Sequence, residues 1–587
     1  MIIIDKFKYN TNANRNYFFY MLISRGKVKL LVSTFVINLL LSSAGFAQAV
    51  NIRAITEPGR RGPRQVEEVI EQAQPKIIKE KAKSTKLPIA PPGAEEQEID
   101  GFKGMIIEGG SVYSDESLSG FYTEFVDKTI NLAQIFQIAR DIQNKYRNEG
   151  YLLTRVLVPE QEPTKGIIKL KIVEGYIESV RIEGDAAEYQ QRIKKYLNKL
   201  TGMVPVNNHE IERYLLLIND LPGVSARAVV RPEKNKLGAT ELVVRVEVKR
   251  FDGLVLVNNR GSKFRGPFRI LLEGTSNSLL NLEEELKLVF LTTFEDNEQH
   301  YGSISYKQPL GTEGVSIRLS ASYGPSEPGD SLERFDIESE SYYFSGDINY
   351  PLIRSRNTNL NLEFGCEMIN SDTDVFGESS VRDRLRVMHA TAQFDVIDTG
   401  NAQSQISFSV RQGINALGAS PEKGNKLSRF EGKSDFTLLQ TSMSRLQPII
   451  SNTSILIAAK GQYAFDTLLS DEEFFLGGEQ FGRAYDISAL TGEHGVAATT
   501  EIQQNLTTPF QVIPNYQVYG FYDFGVVWNK DLGVESRQSL ASAGAGFRAM
   551  IFDNFSIGFE VAKPLTRVVA AEQNNDPRFF FHISGRY

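Results

Sequence analysis

Residues Gly314 to Tyr323 read GVSIRLSASY: Val315, Ile317, Leu319, Ala321 and Tyr323 are apolar, and Ser316, Arg318, Ser320 and Ser322 between them are polar. Successive side chains of a β-strand point to opposite faces, so this segment has one oily face and one wet face. The alternation recurs in Leu360, Leu362 and Phe364, in Ile406, Phe408 and Val410, and in Phe555, Ile557, Phe559 and Val561. From about Phe251 to Tyr587 no helical period interrupts it. A soluble two-sheet sandwich shares the pattern, as does a transmembrane barrel with lipid outside and water in its lumen. About 337 residues at roughly 21 per strand and loop make about 16 antiparallel strands, an even number as such barrels require.

The other end of the chain favours the barrel. From Met21 the sequence has a basic start (Arg25, Lys27, Lys29), an apolar run and a small-residue ending at Ala47-Gln48-Ala49. These are the parts of a secretory signal, giving a signal peptide over 1–49 cleaved after Ala49. A membrane-anchoring helix is the alternative. The residues before Met21 are either an extended signal or a sign that Met21 is the true start. Beyond Val50 no apolar run reaches the roughly 18 residues of a spanning helix, so the chain would have to cross a membrane with strands.

The 587 residues carry a net charge of −7 with Lys and Arg interspersed among acids, so there is no basic stripe for nucleic acid. Cys366 is the single cysteine, which excludes an internal disulfide. The histidines, His209, His300, His389, His494 and His582, lack metal-ligand spacing, and no phosphate-cradling loop appears. No cofactor, metal or catalytic residue is expected. Gly329-Asp330-Ser331-Leu332 also heads one class of serine esterases, but it sits here between strands with no following Asp-x-x-His pair and reads as a surface loop.

Residues 50–99 are polar and proline-containing, with a weak helical pattern broken by Pro75 and a linker, LPIAPPGAEEQE. Residues 100–249 alternate helix and strand. Leu132, Ile135, Phe136, Ala139, Ile142 and Tyr146 recur at helical steps, with Gly150 placed as a stop. YLLTRVLVP and GIIKLKIVEG read as paired strands. The grammar then repeats: a strand in IESVRIEG, helices over Tyr189–Leu200 and His209–Ile218, and strands in VSARAVVRP and TELVVRVEVKR. Two small α+β modules account for 100–175 and 176–249, and Leu215, Leu216, Leu217, Leu221 and Pro222 are expected in the second core.

Several stretches together resemble one family. HEIERYLLLINDLPGV (209–224) resembles the second POTRA module of the TpsB two-partner secretion transporters (the ShlB/FhaC/HecB proteins), and GYLLTRVLVPEQ with IKLKIVEGYI resembles the first. NNRGSKFRGPFR (258–269) looks like the opening barrel strand. LGGEQFGRAYD (476–486), with Phe481, Gly482, Arg483 and Tyr485, resembles the loop that folds back into the pore, and GFYDFGVVW (520–528) the late strand with the family's aspartate. The resemblance implies a plug helix over 64–82, two periplasmic POTRA domains and a 16-stranded outer-membrane barrel over 250–587. It also implies that Arg483 pairs with Asp523, which strand parity assigns to the lumen with Gln517, Tyr519 and Phe521. Ala484 stands where the family usually has glycine. The ending RFFFHISGRY, with Phe581 and the final Tyr587, resembles the signal read by barrel-assembly machinery.

The function so implied is passive export of a large unfolded TpsA-type partner, such as a haemolysin or adhesin, by a monomer seated in outer-membrane lipid. A factor that inserts other proteins into the outer membrane is the alternative.

Overall fold

The computed structural model describes residues 87–587 apart from 163–164, 185, 296–297, 510–512, 514, 531–536 and 553. The signal segment and the expected plug over 64–82 lie outside the described residues.

The first small unit is a three-stranded sheet in which Ile167–Val173 pairs parallel with Gly104–Glu108 and antiparallel with Arg155–Leu157. Helices α1 (Asp115–Ser119) and α2 (Leu132–Asn148) contribute to its core. Asn131 starts α2 with a reciprocal cap: its side chain accepts from Gln134 N–H, and the Gln134 side chain accepts from Asn131 N–H. Gly150 ends it in the left-handed region at φ +97°, letting Tyr151 N–H reach back to Tyr146 O at 2.9 Å. The buried stripe is Ile135, Ile138, Ala139, Ile142 and Tyr146, while Leu132 and Phe136 are half-buried on its flank.

The second unit repeats the plan. Its sheet runs Tyr176–Gly184, Ala239–Val248, Val224–Pro232, with α3 (Gln190–Asn198) and α4 (Asn208–Asn219) supplying the core. Leu217, Leu221 and Pro222 are buried as expected. Leu215 is half-buried and packs against that core, whereas Leu216 departs from the expectation: it is half-buried and lines a chamber below the barrel, because α4 turns it towards the bore.

The barrel is closed by 16 strands, each antiparallel to its neighbours, with Arg578–Arg586 pairing back onto Phe251–Asn258. Its burial is inverted relative to a water-soluble core. On Val315–Ser326 Leu319 is 54% exposed while Ser316 and Ser322 are buried; on His494–Thr507 Ile502 is 56% exposed while Thr499, Glu501 and Gln503 are buried. Lipid-facing side chains must be apolar because hydrocarbon offers no hydrogen bonds, whereas a lumen tolerates charge. The segment 258–269 corrects one expectation. It is mostly a loop between strands Phe251–Asn258 and Arg269–Asn277, tightened by Gly261 N–H to Pro267 O, and its arginines turn inward instead of forming the opening strand. Ser331 is exposed in the loop between strands Val315–Ser326 and Ile337–Arg354.

The second small unit is tied to the barrel's lower turns. Arg354 forks onto Asp220 through two bonds of 2.7 Å, a planar pairing that fixes direction as well as distance. Arg192 bonds Glu283, and Lys199 bonds Glu313, which raises the Lys199 pKa above its ordinary value.

Candidate functional site: a loop held across the bore

Strands Thr453–Ala464 and His494–Thr507 are neighbours in the barrel wall, and the 465–493 connection between them contains a small hairpin of Phe474–Leu476 with Leu490–Gly492. Two glycines shape the descent towards the tip. Gly477 has φ +103°, and a Cβ there would stand 2.1 Å from Asp486 O; Gly482 has φ +97°. These conformations suit glycine alone.

At the tip Arg483 meets Asp523. The guanidinium donates Nη2 to Oδ1 at 3.1 Å and Nε to both oxygens at 3.3–3.4 Å, while the Gly482 and Arg483 backbone N–H groups donate to Oδ2 at 3.2 and 2.9 Å. Thr499 and Ser542 hydroxyls complete the carboxylate's shell at 2.7 and 3.0 Å. Asp523 is fully buried and Arg483 nearly so. On strand Asn515–Trp528 Tyr519, Phe521 and Asp523 are buried while Tyr522 and Phe524 are exposed. The Phe521 ring lies under the guanidinium, 3.5 Å from its centroid to Cζ.

Three features of the tip escaped the reading of the sequence. Glu501 takes Arg483 Nη1 at 2.5 Å, and Glu560 stands 3.7 Å from it. Arg260, in the first loop, donates to Glu560 and to the Arg483 carbonyl. Arg578 holds the Ala484 carbonyl and Asp486. Glu501 alternates with the exposed Ile502, so its inward direction was readable; its partner was not. Phe481 packs against a cluster including Leu476, Tyr485, Phe521 and Leu540, and the Tyr485 hydroxyl donates to Ala541 O at 3.1 Å. Ala484 is fully buried.

The root of the loop has a second ionic cluster, also unforeseen. Arg411 forks onto Glu367 at 2.8–3.0 Å and onto Glu472 at 2.9–3.0 Å. Arg429 bonds Glu473 and Glu493, and Ser371 donates to Asp471 at 2.8 Å. The root is therefore fastened to strands Thr358–Val375 and Gln403–Gly413, while the tip is fastened to strands on the far side of His494–Thr507. A loop tied to both walls crosses the lumen.

Residues 238–549 match the family model for the haemolysin secretion/activation protein ShlB/FhaC/HecB, more than half of the chain, and 102–175 match the ShlB-type POTRA domain. The chain belongs to the ShlB/FhaC/HecB family. It is a two-partner secretion transporter of the outer membrane, with its POTRA domains in the periplasm, and members of this family work with large secreted TpsA-type partners. The heme/hemopexin transporter protein HuxB of Haemophilus influenzae is 26% identical over 484 residues, covering 81% of this chain and 84% of that protein. The outer membrane transporter CdiB of Dickeya dadantii is 22% identical, covering 75% and 79%. In fold the chain is similar to CdiB from Escherichia coli, with a TM-score of 0.69 at 16% identity over 93% of this chain and all of that one. The ShlB/FhaC/HecB family is one of transporters, and membership supports export over the assembly-factor alternative.

Phe581, opposite Phe559 in the closing strands, rests against Phe268, and the terminal Tyr587 exchanges backbone hydrogen bonds with Gly253 while its ring is exposed.

Proposed function

We propose that the cargo is a large unfolded secreted protein of the haemolysin or adhesin class, that it docks first on the second POTRA domain, and that the Arg483–Asp523 contact is a latch that opens as it enters. The observation that supports docking is the chamber of about 1780 Å³ between α4, strand Val224–Pro232 and the barrel's lower mouth, lined among others by Leu216, Val229, Asn359, Gln403 and Ser444. Val224–Pro232 is an edge strand, so an extended chain can add to it through backbone hydrogen bonds that demand little of the cargo's sequence. The amide and hydroxyl lining above it suits an unfolded backbone in transit.

The latch reading rests on chemistry. Charge-assisted bonds hold firmly yet can be exchanged, and a loop across the bore must yield to a passing chain. We further propose that the protein works as a monomer in outer-membrane lipid, that barrel-assembly machinery recognises its Phe581 and Tyr587 end, and that residues 64–82 plug the pore. A photo-cross-linker at Val229, which is 59% exposed, should capture the secreted partner during export. Capture at the opposite edge strand, Tyr176–Gly184, with none at Val229 would overturn the docking site.

A further inference from the structure

Seven residues at the barrel's lower rim, Ser278–Glu284, turn the chain between strands Arg269–Asn277 and Glu285–Thr293. They expose three leucines: Leu279 (53%), Leu280 (61%) and Leu282 (54%). A water-exposed turn would ordinarily be polar. This one is also built to hold its shape. The buried Glu284 carboxylate accepts the Leu280 and Leu282 N–H groups at 2.6 and 3.0 Å, and Ser278 N–H closes onto Glu284 O. Gln308 from the next strand donates to the Leu282 carbonyl at 2.8 Å, and Glu283 is gripped by Arg192 of α3. The turn's charges are thus engaged among themselves or with the POTRA domain, and its leucines are left outward.

What covers them follows from the wall above. The lipid-facing positions of the two strands pair as Leu272 with Phe290, Gly274 with Leu288 and Ser276 with Leu286. Leu272, Leu288 and Phe290 are all exposed, so an apolar column descends to the turn without a polar break larger than one serine. At the same rim Ile449 and Ile450, ending strand Thr437–Ile450, and Phe552, in the turn after strand Arg537–Ile551, are also exposed, so apolar side chains reach turn level elsewhere on the circumference.

We propose that Ser278–Glu284 is a membrane foot: Leu279, Leu280 and Leu282 enter the boundary between headgroups and acyl chains of the periplasmic leaflet. The foot carries the second POTRA domain through Glu283 and Arg192, which references that domain to the plane of the bilayer.

The chain supplies its own control. Cys366 is exposed beside Phe364 and Met368 on the lipid side of strand Thr358–Val375. In a Cys366→Ala background, Leu280→Cys carries a fluorophore, and a second variant carries it at Leu237→Cys. Leu237 is 63% exposed in the POTRA hairpin, and the ten-residue strand Ala239–Val248 separates it from the barrel. The full chain goes into vesicles of phosphatidylcholine with brominated acyl chains. The label at Leu280 is expected to be quenched at least half as strongly as one at Cys366, and several-fold more than one at Leu237. Quenching at Leu280 no greater than at Leu237, with Cys366 strongly quenched, overturns the foot, and a contact with cargo or a second copy then has to explain the leucines. Lack of quenching at Cys366 would strike the barrel's membrane face instead. A Leu279→Ser, Leu280→Ser, Leu282→Ser variant, with the closed barrel verified by heat-modifiable electrophoretic mobility, is expected to loosen the second POTRA domain: trypsin cleavage after Lys195 and Lys199 should quicken several-fold. Unchanged cleavage contradicts the coupling.

Discussion

The tip and the root of the 465–493 loop solve the same problem with different means. At the tip one carboxylate, Asp523, gathers two side-chain hydroxyls, two backbone N–H groups and a guanidinium. At the root the charges are divided between two arginines and four carboxylates, Arg411 and Arg429 with Glu367, Glu472, Glu473 and Glu493. A site concentrated on one residue fails when that residue is lost, whereas a distributed one loses a part. A latch suits the first arrangement and a fixed anchor the second.

The largest expected effect is therefore at Asp523. Asp523→Ala leaves Arg483 to Glu501 and Glu560 alone and takes the acceptor from two buried backbone N–H groups and two hydroxyls, costing about 1–3 kcal/mol for each buried donor left unpaired. Secretion of the partner should fall to background while the barrel still shows heat-modifiable mobility. Arg483→Ala should impair secretion comparably, because Asp523 then remains as a buried charge. Secretion and conductance unchanged in both would remove the latch.

The exchange of charges, Arg483→Asp with Asp523→Arg, sharpens the same comparison. A simple pair would recover much of its function when swapped. Here the new aspartate would face Glu501 and Glu560, and like charges in a dry site repel. Little or no recovery is expected; recovery to half of the parental secretion would mean that Asp523 alone determines what Arg483 does.

Arg411→Ala should do less to export, because Arg429 and the Ser371–Asp471 bond still hold the root. It should lower the barrel's melting temperature, since Glu367 and Glu472 lose their shared cation. A secretion defect as deep as that of Asp523→Ala would contradict the division into latch and anchor. Deleting residues 64–82 is expected to raise single-channel conductance by a smaller step than unlatching the loop; unchanged conductance counts against a plug there.

How much of this was readable follows the range of the interactions. Strand parity placed Asp523 inward and Tyr522 and Phe524 outward, because side-chain direction in a strand is a local, two-residue property. The helix stop at Gly150 was readable for the same reason. The tip motif was legible only through family resemblance, which also identified its partner. The root was illegible. Arg411 and Glu472 are 61 residues apart, one in a strand and one in a loop, and each alone reads as an ordinary lumen charge. Leu216 was misplaced for a related reason: an amphipathic helix face packed on its own sheet and one turned to a chamber have the same period. The segment 258–269 was misread because its glycines and arginines fit the resemblance, while the strand itself ends at Asn258.

Most direct of all is the conductance of single channels in planar bilayers, comparing the chain with one in which residues 477–488 are replaced by a short glycine linker, both lacking 64–82. If the loop lies across the bore, the shortened form should conduct several-fold more. Equal conductance in the two, with both barrels closed, would mean that the loop does not obstruct the passage.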